Sequence, residues 1–328
     1  MPELPEVETV RKGLEQLVVG KTIAKVEVLW PKIIEMPEVP LFRKLLEGQT
    51  IHAIDRRGKF LIFKMTDYDL ISHLRMEGKY EFFPPYESNK TAIELGDTSL
   101  LVTDSDDRVR LSEELAEKEN QERARQERAG SAPVTKHTHV IFLFTDGSQL
   151  QYRDVRKFGR MALVVKDGAP QYKGIRQLGP EPLAETFTLE SFKTGLLRSK
   201  KAIKPLLLDQ RLVTGLGNIY VDEALWQAKI HPEQPADTLN DKEIIRLRTA
   251  IIDVLARAVA AGGTTIRTYL NALGEAGKFQ LSLNVYGQTG KPCPRCKTPI
   301  IKTKVAQRGT HLCPNCQKLQ VRKPRAGK

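Results

Sequence analysis

The sequence predicts an α+β multidomain protein in which an N-terminal helix and an antiparallel β-sandwich precede a helical domain and a small β-hairpin module. Three observations support this prediction. Apolar and β-branched runs separated by turn residues continue to about residue 180, as is typical of antiparallel strands. From Thr188 onward, apolar residues recur at helical spacing. All four cysteines follow residue 290. The predicted domains are therefore 1–180, 181–280 and 281–328.

The first ten residues predict the start of a helix and leave two residues unexplained. Pro5 suits the first helical position, and Glu6 lies in the first turn, where the helix dipole favours negative charge. Apolar residues follow at helical spacing until Gly20. This helix gives no reason for the preceding Pro2-Glu3.

Pro2 becomes a free secondary amine when Met1 is removed, and the small proline favours that removal. A neutral amine can attack an electrophilic carbon, and a secondary amine then forms an iminium with a permanent positive charge. An α-amino group titrates near pH ~8, so that about a tenth is neutral at pH 7. Glu3 and Glu6 are near enough in sequence to transfer protons there. The residues alone favour a plain helix start, because proline after methionine is common without any catalytic role. A nucleophilic Pro2 is the alternative, and it requires an exposed nitrogen.

The N-terminal domain contains several predicted strands and one short helix. The strands are predicted within 22–30, 50–65, 70–83, 139–144 and 150–153, and the helix over 40–47. Arg56-Arg57-Gly58-Lys59 forms a basic turn or bulge, and Asp146-Gly147 marks a hairpin turn. A cationic stretch, 151–160, follows with Phe158 near its centre.

Residues 87–136 depart from this pattern. They carry many charges of both signs, and 112–128 has helical character with almost no apolar face. We predict a solvated, partly helical or disordered insertion. A partner site is the alternative.

The second domain is predicted to consist of helices at 189–197, 203–208, 220–228, 241–261 and 266–273. Gly215-Leu216-Gly217-Asn218 lies between two of them, like the turn of a helix-two-turn-helix. Backbone amides in such a turn, together with the next helix N-terminus, form a phosphate site. A plain interhelical turn is the alternative.

The charge of the chain indicates a nucleic-acid partner. The formal net charge is +12, and residues 291–328 contain eleven Lys or Arg and no Asp or Glu. Such a concentrated basic patch is typical of nucleic-acid binding. A disordered basic tail would explain only the last few residues. With neither an apolar run of membrane-spanning length nor a secretory signal in the sequence, we expect a soluble cytoplasmic protein.

The four cysteines have the spacing of a zinc site. Cys293, Cys296, Cys313 and Cys316 follow the pattern C-x2-C-x16-C-x2-C, in which each pair supplies two ligands to a tetrahedral ion. Four thiolates leave no open position, so the predicted zinc is structural. Two disulfides are the alternative, but cytosolic thiols stay reduced. Residues 302–310 between the pairs predict a cationic β-hairpin, which completes a zinc finger.

Six segments together resemble the bacterial formamidopyrimidine-DNA glycosylase family, in the order in which the family has them. They are Pro2-Glu3-Leu4-Pro5-Glu6, Lys59 after Arg-Arg-Gly, His73-Leu74-Arg75-Met76-Glu77-Gly78, Asp154-Val155-Arg156-Lys157-Phe158-Gly159, Gly215-Leu216-Gly217-Asn218-Ile219-Tyr220, and the four-cysteine finger with Gln307-Arg308-Gly309-Thr310. The resemblance implies a β-sandwich, a helix-two-turn-helix domain and a zinc finger around a DNA cleft.

The resemblance also implies an activity: excision of 8-oxoguanine and formamidopyrimidines from double-stranded DNA by a monomer, followed by β,δ-elimination at the abasic site. It implies that Pro2 is the nucleophile that attacks C1', that Glu3 is the proton donor at the sugar, and that Glu6 supports the site. Lys59 and Arg308 are similar to the residues that assist elimination and hold phosphates.

Further residues are implied to bind DNA. A stacked nucleotide must be turned out of the duplex before C1' can be reached, and wedge side chains fill the gap. Met76, Arg156 and Phe158 resemble these void-filling residues, with Arg156 reading the orphaned base. The resemblance implies phosphate contacts for His73, His137, Lys200 and Asn218. It also implies that residues 272–280 close over the extruded base.

Two other functions remain open from the sequence. The endonuclease VIII type has the same fold and prefers oxidised pyrimidines, but Leu4 and the Arg156–Gly159 segment argue against it. A noncatalytic DNA-binding zinc protein is the second alternative, and Pro2, Glu3 and Lys59 argue against that. The insertion 87–136 and the residues after 317 depart from the family pattern.

Overall fold

The computed structural model describes residues 2–85, 132–264 and 279–322. The predicted helices at 112–128 and 266–273 lie outside these ranges, as do most of the insertion 87–136, most of the 272–280 loop and the end of the basic tail.

In chain order, the described elements form a strand-rich region, a helical region and a final β-hairpin. The helices are α1 (Leu4–Val18), α2 (Val39–Leu46), α3 (Lys173–Arg176), α4 (Leu189–Leu197), α5 (Ile203–Leu208), α6 (Asn218–Ala228) and α7 (Asp241–Ala260). The strands are β1 (Ile23–Val28), β2 (Ile34–Met36), β3 (Ile51–Arg57), β4 (Phe60–Met65), β5 (Tyr68–His73), β6 (Lys79–Phe83), β7 (Thr138–Phe144), β8 (Gln149–Arg153), β9 (Arg160–Val165), β10 (Ile301–Val305) and β11 (Arg308–Leu312).

Two sheets form the N-terminal sandwich. One has the strand order β1-β7-β8-β6, and the other has the order β2-β9-β5-β4-β3. One hydrophobic core between them includes Val26, Phe63, Leu70 and Phe142. The predicted sandwich is confirmed. Only the short β2–β9 pair is parallel, whereas the other described pairs are antiparallel.

Strands β2 and β9 lie outside the predicted set. β2 has three residues, too few to show a periodic pattern. β9 follows the cationic stretch directly, and its position depends on antiparallel pairing with β5, where Met161 lies opposite Ser72. The apolar run 161–165 is itself a strand signal, which the prediction omitted.

The helical region has a separate core, to which the hairpin module is docked. Phe187, Leu207, Tyr220, Leu247 and other buried residues form this core. Within the described ranges, no helix combines the length and apolarity that crossing a bilayer requires.

Candidate active site

The N-terminus of α1 carries the predicted nucleophile and both carboxylates. Glu3 is the N-cap of α1, and its backbone N–H donates to Glu6 Oε2 at 2.8 Å, which closes a capping box. Pro2 directly precedes this cap and is buried. The expectation that Pro2 would be exposed is therefore wrong for the chain with Met1 attached, because the anchored Glu3 holds its neighbour inside the molecule.

The Glu3 carboxylate binds the N-terminus of α6. It accepts the backbone N–H groups of Gly217 (2.7 Å), Ile219 (2.9 Å) and Tyr220 (3.3 Å). Free amides and the helix dipole make this helix end favourable for a negative charge. The predicted Gly215–Asn218 turn thus holds a carboxylate of its own chain as well as lying at the domain junction.

The pKa of Glu3 is raised to about 7. Burial is the main cause, because it disfavours the charged carboxylate, and the nearby Glu6 adds to the shift. Lys59 and the N–H groups of Ile219 and Tyr220 act in the opposite direction. A carboxyl group with this pKa can hold a proton near neutral pH, as a general acid requires.

Lys59 lies in the β3–β4 turn, which the segment after β9 holds in place. The Gly58 N–H donates to Glu181 Oε1 at 2.6 Å, and Arg56 pairs with Glu181 Oε2 at 2.9 Å. The Lys59 side chain then extends inward, where its Nζ donates to the Leu216 carbonyl at 2.6 Å. Lys59 therefore contacts Leu216, and the next residue, Gly217, binds Glu3.

Burial also lowers the pKa of Lys59, since the ammonium loses its hydration. The carboxylates of Glu3 and Glu6 oppose this shift, and the positive charge of Arg308 adds to it. These interactions bring together Glu3, Glu6, Lys59 and Arg308, which lie far apart in the sequence. Only Arg308 is exposed among them.

Two residues of the site were not predicted from the sequence. Glu6 Oε1 accepts the Tyr220 hydroxyl at 2.5 Å and the Thr264 N–H at 2.7 Å. Tyr220 was visible only as the end of the Gly215–Tyr220 motif, and Thr264 had no signal. Both contacts span more than two hundred residues, so they follow from the tertiary fold alone.

The hairpin that carries Arg308 is fixed to α6. The carbonyl of the next residue, Gly309, accepts Lys204 Nζ at 3.0 Å and Asn218 Nδ2 at 2.9 Å. Lys204 also forms a fully buried ion pair with Asp222, with 2.6 Å between Nζ and Oδ1. Asn218 thus holds the hairpin, in addition to its predicted role as a phosphate contact.

The three predicted wedge residues project from two loops of the sandwich. The first wedge loop, residues 73–78, joins β5 to β6, and the second wedge loop, residues 154–159, joins β8 to β9. Met76 is 37% exposed and Phe158 is 46% exposed, unlike core residues. The guanidinium of Arg156 lies 4.7 Å from the centroid of the Phe158 ring.

The predicted phosphate contacts occupy different surroundings. Burial, reinforced by Arg75 and Lys59, lowers the pKa of His73 to about 3, so its imidazole is neutral. The His137 carbonyl accepts the Asp154 N–H at 3.0 Å, which places His137 beside the second wedge loop. Lys200 is exposed between α4 and α5.

The four cysteines converge as zinc ligands do. All four Sγ atoms lie within 4.8 Å of one another, and three pairs are separated by 3.4, 3.5 and 3.9 Å. A tetrahedral zinc with bonds of ~2.3 Å places its sulfur ligands ~3.8 Å apart. These distances exclude disulfides, whose sulfurs are ~2.05 Å apart. The set fits one structural zinc ion below the β10–β11 hairpin.

Three family models match the chain. They are the formamidopyrimidine-DNA glycosylase N-terminal domain over residues 1–161, the formamidopyrimidine-DNA glycosylase H2TH domain over 178–270, and the zinc finger found in FPG and IleRS over 290–319.

Full-length relatives agree with these matches. A formamidopyrimidine-DNA glycosylase of Enterococcus faecalis is 62% identical over 323 residues, which cover 98% of this chain and 99% of the relative. A mutant of Lactococcus lactis FPG in complex with a Fapy-dG-containing DNA has a TM-score of 0.79 and 43% identity, covering 97% of this chain and 100% of that one. Lactococcus lactis Fpg with abasic-site DNA gives 0.78 and 42%, covering 96% and 99%. The chain therefore belongs to the formamidopyrimidine-DNA glycosylase family.

Proposed function

We propose that this protein is a bifunctional DNA glycosylase and abasic-site lyase that excises oxidised purines in base excision repair. The observation that supports it best is the arrangement of Glu3 beside Pro2, with a pKa of about 7 and with Lys59 within electrostatic reach. An electrophilic sugar carbon next to Pro2 would meet a nucleophile and a proton donor together. The domain division 1–180, 181–280 and 281–328 is part of this proposal.

The reaction starts once removal of Met1 has freed the Pro2 nitrogen. Its lone pair forms a bond to C1', and the bond from C1' to the base breaks with the electron pair leaving on the base. Glu3 gives its proton to the sugar ring oxygen as the bond from C1' to that oxygen opens. The nitrogen gives its own proton to the departing base, and the product is an iminium.

The iminium makes strand scission the natural next step. It withdraws electrons from C1', so a C2' proton is lost and the 3' phosphate leaves, followed by the 5' phosphate. Lys59 and Arg308 supply positive charge for these phosphates, and Asn218 lies at the adjoining helix N-terminus. Glu6 supports the site through Tyr220 and Thr264.

The partner is double-stranded DNA with an everted nucleotide. Met76, Arg156 and Phe158 would fill the gap in the stack, and His73, His137 and Lys200 would contact phosphates. A neutral His73 accepts the Arg75 N–H at Nδ1 (2.9 Å), which leaves Nε2–H as a donor. We also infer that the protein acts at the nucleoid, where its substrate is.

The lesion preference is tested by comparing two duplexes, one with 8-oxoguanine opposite cytosine and one with thymine glycol. We expect faster excision of 8-oxoguanine in single-turnover assays. Faster excision of thymine glycol would instead favour the endonuclease VIII type. If neither duplex is cut and abasic DNA gives no borohydride-trapped adduct, the protein is a noncatalytic DNA-binding module.

Zinc removal should weaken DNA binding while the β-sandwich stays folded. The β10–β11 hairpin carries Arg308 and is short, so its order depends on the four thiolates. We expect chelation, or Cys296→Ser, to release one zinc per chain and to weaken DNA binding at least about tenfold, the free-energy equivalent of one charged hydrogen bond. Zinc content and fluorescence anisotropy measure both, and added zinc should restore the chelated wild type. Unchanged affinity after full zinc loss would contradict this role.

A further inference from the structure

The two wedge loops close on one buried side chain. Tyr152 on β8 is fully buried, and its hydroxyl lies directly beneath both loops. A methyl group added to Gly78 would lie 2.1 Å from the Tyr152 hydroxyl oxygen, and one added to Gly159 would lie 1.8 Å from it. Both distances are far below van der Waals contact. Neither loop can therefore move toward Tyr152 without displacing the Tyr152 side chain, and that displacement in turn moves the other loop.

The second wedge loop is also tied together by one carboxylate. Asp154 is 1% exposed and accepts three backbone N–H groups. Its Oδ1 accepts from Arg156 at 2.9 Å, and its Oδ2 accepts from Phe158 and from Gly159, both at 2.8 Å. Hydrogen bonds to a carboxylate are stronger than neutral ones, so the backbone of both wedge residues is held in a single conformation.

Each loop also keeps a residue in the left-handed backbone region next to a wedge residue. Arg75, with φ of 57°, precedes Met76, and Lys157, with φ of 58°, lies between Arg156 and Phe158. Residues other than glycine seldom adopt this conformation, and they keep it only where the surroundings enforce it. For Lys157 these include the Trp30 ring, whose centroid lies 4.0 Å from Nζ.

We propose that Tyr152 and Asp154 are positioning residues for nucleotide eversion, which hold the two wedge loops as one preassembled unit so that Met76, Arg156 and Phe158 enter the duplex together. This inference rests on the proposed function. Three side chains that are already in register do not have to be ordered during insertion, and pre-organisation of this kind lowers the cost of binding the distorted DNA.

The first test separates eversion from chemistry. Asp154→Asn keeps the size of the side chain but replaces one acceptor oxygen with a donor. We expect excision of 8-oxoguanine from a duplex to slow by about tenfold to a hundredfold, as a misplacement of ~1 Å does in other enzymes. Cleavage of a single-stranded oligonucleotide with a preformed abasic site, in which no stack must be opened, should stay within about twofold.

Asp146→Asn is the matched control. Asp146 accepts the Ser148 N–H at 3.0 Å in the β7–β8 turn, so it stabilises a loop at the other end of β8. This variant should keep both activities. In a background that already has Met76→Ala, Arg156→Ala and Phe158→Ala, Asp154→Asn should add less than about twofold, because no wedge side chain remains for Asp154 to position.

The second test asks whether the loops are one unit. A methyl group at Gly159 meets Tyr152 alone among its nearest neighbours, so Gly159→Ala pushes Tyr152 and, through it, Gly78. It should therefore slow duplex excision even when Arg156 and Phe158 are already Ala. If the effect of Gly159→Ala disappears in that background, the loops are independent and the proposal is wrong. Equal loss of both activities in Asp154→Asn, or no loss, also overturns it. Failure of the proposed function is distinct, because wild type would then cleave neither substrate.

Discussion

Pro2→Gly is expected to lower the yield of borohydride-trapped protein–DNA adduct by about a hundredfold or more. Glycine keeps an amine at the N-terminus but removes the ring that holds the nitrogen in one orientation, and small misplacements of reacting atoms have effects of this size. A variant that retains Met1 should form no adduct, since its Pro2 nitrogen is an amide. Mass spectrometry of the trapped complex locates the bond.

Pro5→Ala is the matched control for this substitution. Pro5 lies in the same segment, within the first turn of α1, and is buried. Its replacement leaves the Pro2 nitrogen unchanged, so adduct formation should stay within about threefold. Both variants should also bind a duplex with a stable abasic-site analogue as wild type does. An undiminished adduct in Pro2→Gly that maps to another residue would exclude Pro2 as the nucleophile.

Glu3→Gln is expected to slow base excision by about 10²- to 10⁴-fold, the usual contribution of a general acid. The pH dependence should change as well. The active form needs a protonated Glu3, whose pKa is about 7, and a neutral amine, whose pKa is near ~8. The protonated fraction of Glu3 decreases once the pH exceeds the pKa of Glu3. The neutral fraction of the amine increases until the pH exceeds the pKa of the amine.

The product of these two fractions is a bell that peaks between about pH 7 and 8. In Glu3→Gln the fall at alkaline pH should disappear, and the residual rate should rise to a plateau. Single-turnover excision at several pH values measures this difference. Glu15→Gln, on the same helix but 49% exposed at its side chain, should keep the bell. An alkaline fall that persists in Glu3→Gln would assign the proton donor to another group.

Local sequence patterns predicted the elements whose ends are marked by neighbouring helix-start or turn residues. The start of α1 followed from Pro5 and Glu6, and the hairpin between β7 and β8 followed from Asp146-Gly147, as the structure confirms. The cysteine spacing likewise predicted a cluster of four thiols that the structure confirms. In each case the chemistry of a few neighbouring residues determines the conformation.

Contacts between distant segments could not be predicted in this way. Met76 and Phe158 have the composition of ordinary strand residues, and only their exposure in the structure distinguishes them from the core. The three amides that bind Glu3 come from α6, more than two hundred residues away. The family resemblance implied that Glu3 is the proton donor, but the hydrogen-bond partners of Glu3 and its raised pKa depend on the packed structure.

The binding of Glu3 to α6 has a consequence for how this chain can be divided. The sandwich contributes the amine, the acid and Lys59, but the amides that orient the acid and the Leu216 carbonyl that receives Lys59 belong to the helical region. A fragment that ends at residue 180 would retain the amine, the acid and Lys59 and would still lack the scaffold that aligns them. Recombination of the two halves between distant homologues would therefore have to preserve this junction.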